Sequence, residues 1–257
     1  MVAVTLMLLI IGALLAVFYQ TQRAMRLSAT QVDVLESGRA GMELLTSELP
    51  EISPCYAPAQ VNLYAKAFNF LVQPRPAPAK ARVNVVQDFF FLRQHNDEWI
   101  GTGYFVSPAY PGDPIGTLYR YERSTNNVTD PLAFHWLLTN FLAAVEQNPP
   151  PPEAHRVMDR VVNLTFSPYD LQGRFMTNFV DASYSFTNSF TNNVVPGYLD
   201  LELGVFEPRA FERYKALAEI RALVPGDPRA YSYLTGHVEK VHLFRQRVPI
   251  RTAQGIP

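Results

Sequence analysis

The chain is predicted to be α+β: a long N-terminal helix, membrane-embedded in its first half and amphipathic in its second, carrying an antiparallel β-sheet domain with additional helices. Three observations carry this. Residues 1–18 contain no charge and no turn residue. No proline interrupts the chain before Pro50. From residue 51 onward, short β-rich runs alternate with Pro/Gly punctuation, with two helical patterns among them.

The first element runs from Met1 to about Pro50. At 1.5 Å per residue, eighteen residues cover about 27 Å, close to the hydrocarbon thickness of a bilayer. A secretory signal peptide needs a basic n-region, a shorter apolar core and a small-residue cleavage site, and none is present around Phe18. Leu6, Leu8, Leu9, Ile10, Ile11, Leu14, Leu15 and Phe18 are the candidate lipid- and neighbour-facing side chains, and Gly12 permits close helix approach. Strong helix formers then surround Gly38 and Gly41. Leu35, Met42, Leu45 and Leu49 recur at spacings of 7, 3 and 4, with Gly38 on the same face, and are the predicted stalk-to-head contact. Arg23, Arg26, Asp33, Glu36, Arg39, Glu43 and Glu48 form the predicted solvated face, with Arg39 and Glu43 an i,i+4 pair. Leu49-Pro50 ends a rod of about 70 Å. The expected organisation is 1–22 transmembrane, 23–50 stalk and 51–257 head.

In the head, 57–71 reads as extended or mixed, and 73–79 as a polyproline-like connector. Arg82 to Arg93, with Phe89-Phe90-Phe91-Leu92, is too continuously apolar for a one-sided strand, so it is predicted to be central and covered on both faces. Trp99–Ser107 and Thr117–Arg123 read as antiparallel strands across a Pro/Gly turn. Asp130-Pro131 caps a helix over 132–147. Strands follow at 157–166 and within 175–190, the latter with an Asn/Thr/Ser-rich loop. Tyr198–Phe206 alternates Leu199, Leu201, Leu203 and Val205 with polar residues, a half-buried strand. A helix begins at Glu207-Pro208 and runs to about Leu223, and 238–250 is a last strand.

The order of these features resembles the type IV pilin-like proteins, above all the minor pseudopilins of type II secretion systems with long J-type domains. Met1–Leu49 carries most of it: Met-Val-Ala-Val-Thr-Leu-Met-Leu-Leu-Ile-Ile-Gly resembles a pilin helix just after its processing site, and Ser37–Leu45 resembles the Arg-Ala-x-x-x-Leu-Leu stretch of such stalks. Gly103–Val106 with Thr117–Tyr121, Val161–Phe166 with Asp170–Arg174, and Val195–Leu203, which resembles the strand that closes the sheet, follow in the family's order. The family's basic leader and Gly-Phe-Thr-Leu-x-Glu motif have no counterpart here, so the peptidase site and its glutamate are assigned to no residue. The expectation is a true start upstream of Met1, or an anchor that is never processed.

The resemblance implies a non-enzymatic filament subunit of a type II secretion or type IV pilus-like system, anchored by a single pass in a bacterial inner membrane with its head periplasmic or extracellular. Its implied partners are membrane lipid, other pilin-like subunits through the N-terminal helix, and inner-membrane assembly machinery. Arg23 and Arg26 after the apolar run would, by the positive-inside rule alone, keep the head cytoplasmic, and a basic leader would reverse that. The rival reading is a membrane-anchored extracytoplasmic enzyme or ligand-binding protein.

Composition bounds these readings. With 22 basic and 23 acidic residues the net charge is -1, so no global field attracts nucleic acid, and none is expected as a partner. Hydrophobic residues at 48% and charged residues at 18% suit one packed head rather than a disordered tail. The single cysteine, Cys55, permits no disulfide within the chain, and its expected role is a small buried apolar side chain. His95, His135, His155, His237 and His242 are scattered without metal-ligand spacing, and Asp88, Asp97, Glu98 and Asp113 make no EF-hand loop. Gly101-Thr102-Gly103 lacks the third glycine of a dinucleotide fingerprint, and Asn127 and Asn163 sit in glycosylation sequons. No cofactor, metal or catalytic residue is assigned.

Overall fold

The computed structural model describes the chain except residues 1, 56–59, 74–80, 97, 109–112, 126–130, 177–186, 192–193, 224–227 and 256–257, and gives the backbone alone at 2–6, 8, 27, 68–70, 131–133, 187–188, 191, 221–223 and 254–255. The proline-rich connector, the tip of the Pro/Gly turn, the Asp130 cap, the Asn127 sequon and the Asn/Thr/Ser-rich loop lie outside the described residues.

The first element is one uninterrupted helix, α1 (Val2–Glu48), followed by a 3-10 turn over Leu49–Glu51 that contains Pro50. The ring of Pro50 and its missing N–H end the rod where the sequence puts the break. The head is one eight-stranded sheet of β1 (Val61–Gln73), β2 (Arg82–His95), β3 (Glu98–Pro108), β4 (Gly116–Thr125), β5 (Ala154–Tyr169), β6 (Thr187–Thr191), β7 (Tyr198–Phe206) and β8 (Val241–Pro249). Three helices accompany it, α2 (Pro131–Val145), α3 (Pro208–Leu223) and α4 (Arg229–Gly236). The α+β class is therefore observed. No sequence pattern marks α4, which is only eight residues long.

Strand order is β6-β1-β2-β3-β4-β5-β7-β8, antiparallel throughout except for an added parallel contact of β2 with β5 at Val86 and Leu164. That contact arises because β3 pairs with β2 only up to Phe89, leaving the start of β2 beside β5. Side-chain amides bridge the two strands: Asn163 Oδ1 accepts from the Val85 N–H at 2.8 Å, and Gln87 Oε1 from the Phe166 N–H at 2.7 Å. Asn163 is therefore buried and committed, so its sequon is not presented to solvent. The strand expected to close the sheet, β7, lies one position in from the edge, with β8 outside it.

The run Phe89-Phe90-Phe91-Leu92 shows why the sheet needs cover on both faces. Phe89 and Phe91 point into the core beneath α1, and Phe89 stacks on Phe166 with ring centroids 3.9 Å apart. Phe90 and Leu92 point the other way, into a core closed by Phe134, Leu137 and Phe141 of α2. On β3, Gly101 and Gly103 let α2 approach: a Cβ on Gly103 would stand 2.3 Å from the Phe141 ring. That close packing is the use of the Gly-x-Gly sequence. A third core joins Phe206 and Val162 of the sheet to Tyr214 of α3 and Leu234 of α4. Three layers result, with α1 on one face and α2, α3 and α4 on the other.

Candidate assembly helix and its seat

Two halves of α1 have opposite environments. Beyond the head, every described side chain from Met7 to Met25 is exposed except Gln22, which is intermediate. Leu9 is 73% accessible and Leu14 64%, and Ile10, Ile11, Leu15 and Phe18 are likewise exposed. Nothing lies within 4 Å of the position a Cβ on Gly12 would occupy. The side chains of Leu6 and Leu8 lie outside the described residues. Among the described residues, no helix is long and apolar enough to cross a membrane. Residues 1–6 and 8, where the apolar run begins, are outside that statement.

From residue 34 onward the helix is seated. Val34, Met42, Leu45 and Leu49 are buried in the core beneath α1 with Leu203, Val205 and Tyr104. Gly38 and Gly41 set the distance: a Cβ on Gly38 would fall 2.1 Å from the Phe244 ring, and one on Gly41 2.6 Å from Met158 Sδ. A mid-helix glycine costs about 1 kcal/mol of helix propensity, which is offset here by ring contact that any larger residue would block. Leu35, expected in this face, is instead 50% exposed. At 3.6 residues per turn the buried set centres between Leu45 and Gly38, and Leu35 lies roughly 70° off that line while Val34 lies close to it.

Glu48 is the second departure from the sequence reading. Expected on the solvated face, its side chain is only 13% accessible and sits under the last turn of the helix. Arg120 grips the carboxylate through Nε at 3.0 Å and Nη2 at 2.6 Å, and the Tyr104 hydroxyl donates a further short hydrogen bond. Arg93 approaches the same carboxylate at 3.7 Å and also engages Glu122 and Glu51. An acidic residue at a helix C-terminus is disfavoured by the macrodipole, so these partners on β2, β3 and β4 account for its position. Burial pushes the Glu48 carboxyl up, but hydrogen bonds from Arg120 and Tyr104 with the nearby arginine charges outweigh it, and the net shift is downward from 4.5. The Arg39–Glu43 ion pair expected from i,i+4 spacing does not close, and both residues instead line a groove between α1 and Leu243–Gln246 of β8.

The clamp makes a prediction. Glu48→Ala leaves the Tyr104 hydroxyl without its acceptor and Arg120 held by Glu122 alone, and should cost about 2 kcal/mol. Because the folded carboxyl titrates below its unfolded value, the stabilisation is present above about pH 4.5 and lost as pH falls through the folded pKa. Urea unfolding of both proteins between pH 7 and pH 3 measures this: the gap should be widest at pH 7 and should shrink as pH falls below about 4.5.

The remaining candidates do not converge. His237 follows α4 with Nδ1 2.7 Å from the Tyr233 carbonyl, while His242 lies in β8. Among the described residues no group of three or more metal-ligating side chains occurs. Cys55 is buried, as expected. Comparison with protein families, curated proteins and solved structures finds no match.

Proposed function

We propose that the protein is a non-enzymatic pilin-like subunit of the minor pseudopilin kind, assembling through its N-terminal helix into a filament of a type II secretion or type IV pilus-like system. The observation that carries this is the division of one continuous helix. Its second half is fixed to the sheet by Val34, Gly38, Gly41, Met42, Leu45 and Leu49, while its first half presents an apolar surface that the head does not touch. Isolated in water such a surface is costly, at about 25 cal/mol per Å² of apolar area, so it calls for lipid, sister helices or both. In this reading lipid holds the helix before assembly, neighbouring helices replace lipid in the filament, and the head stands on the periplasmic or extracellular side of a bacterial inner membrane.

The antiparallel sheet seated on the stalk, and the resemblance of Met1–Leu49 to pilin stalks, support the same reading. The test uses the full chain in bacterial cells, with a cysteine replacing Leu14 or Phe18. Native protein should resist alkaline extraction from membranes, and both cysteine variants should give disulfide-linked dimers on oxidation, since Cys55 is buried and each chain then offers one accessible thiol. Leu9→Asp combined with Leu14→Asp, in the Phe18→Cys background, should move the protein to the soluble fraction and abolish the cross-linked dimer. Native protein that is soluble and monomeric would refute the reading.

A further inference from the structure

The point at which α1 leaves the head is fixed by a contact: Arg209 Nη2, at the start of α3, donates to the Arg26 carbonyl at 3.4 Å. Residues 2–25 therefore project beyond the base of the head by about 36 Å. That exceeds the hydrocarbon thickness of about 30 Å by a few ångströms only, which brings the base of the head to the depth of lipid headgroups.

The charge at this level is mainly basic. No acidic residue precedes Asp33 in the chain, and the only charged side chains before it are Arg23 and Arg26. Both are exposed, as is Arg209, and none of the three makes an ion pair among the described residues. Neighbouring carboxylates are already neutralised: Asp33 by Arg160 at 3.3 Å, Glu207 by Lys240 at 3.1 Å, and Asp159 by Arg156. Glu36 stands about 15 Å further up the helix from Arg26. Glu212 lines a cleft together with Arg156 and Lys215.

We propose that Arg23, Arg26 and Arg209 form a basic collar that binds the phosphates of anionic lipid headgroups and sets the head against the membrane surface. This rests on the membrane reading above. Guanidinium groups suit phosphate oxygens by geometry as well as charge. Each basic residue near an anionic surface is worth roughly fivefold in partition, and together they should give at least a tenfold preference.

The experiment synthesises the full chain in a cell-free reaction that offers two differently dyed vesicle populations in equal amounts, phosphatidylcholine alone and phosphatidylcholine with phosphatidylglycerol at about seven to three, then separates the vesicles by flotation. Native protein should partition at least tenfold in favour of the anionic vesicles. The combined Arg23→Gln, Arg26→Gln, Arg209→Gln variant should still insert, with a preference below about twofold, and should melt only slightly below the native protein, since it loses one exposed 3.4 Å hydrogen bond from Arg209 to the Arg26 carbonyl. Arg245→Gln, which removes an exposed arginine well up the head, should keep the tenfold preference. Insertion with no preference in the native protein, or a preference that survives in the triple variant, would overturn the collar and leave the membrane reading standing. Recovery in neither vesicle population would overturn both.

Discussion

At pH 8, Asp88→Asn should raise the unfolding free energy by several kcal/mol, and at pH 4 the two proteins should be nearly equal. Asp88 lies in β2, 6% accessible, and its Oδ1 has no hydrogen-bond partner. Its cross-strand partner is Lys66, and Tyr64 faces the same site two residues away on β1. Burial pushes the carboxyl up to about 7 from 3.8, and the Lys66 charge recovers only part of that. A carboxyl with a raised folded pKa binds its proton more tightly folded than unfolded. Its effect therefore favours folding fully below about pH 3.8 and turns to a cost as pH rises toward 7. A shift of that size corresponds to roughly 4 kcal/mol. Asparagine carries no charge to desolvate, so the difference between variant and native protein should grow from pH 4 to pH 7 and then level. Urea titrations at half-unit pH intervals measure it, and a flat difference would show that Asp88 is solvated.

Leu45→Ala should destabilise the protein by about 3 kcal/mol, and Leu35→Ala by less than about 0.5 kcal/mol, although the sequence pattern treats the two leucines alike. Leu45 is fully buried between α1 and the sheet, where truncation leaves a cavity that a rigid β-layer closes poorly. Leu35 is half exposed and loses little. The comparison reads the rotational setting of the helix on its seat. Equal losses would mean that α1 sits rotated from the arrangement described here, with Leu35 in the interface.

These leucines also show how far the sequence could be read. Periodicity located the seated half of α1 and three of its four proposed contacts, because hydrophobic spacing is a property of the helix alone. It could not choose between Val34 and Leu35 at the edge of the stripe, since that depends on where Phe244 of the far strand β8 meets Gly38. The local sequence predicts a solvated Glu48 for the same reason: Arg120 and Tyr104, its partners, are distant in sequence and meet it only once β3 and β4 are paired. The continuous Phe89–Leu92 run revealed a two-sided strand correctly, since burial on both faces removes the alternation that marks a half-exposed one. Gly101 and Gly103 were legible as glycines but not as the bed of α2. The position of β7 inside the edge was hidden because nothing local in β8 tells which strand it will pair with. Asp88 carried no signal at all beyond a charge in an apolar run.

Depth in a bilayer tests the division of α1 without relying on assembly. Spin labels at single cysteines replacing Leu9, Leu14, Phe18 and Met25, with buried Cys55 left in place or changed to serine, report contact with oxygen dissolved in lipid against a nickel chelate dissolved in water. In vesicles, the labels at residues 9 and 14 should be reached by oxygen and shielded from nickel, that at 18 should lie nearer the headgroups, and that at 25 should be open to nickel. Nickel reaching all four positions equally would mean that the exposed half of the helix never enters the membrane.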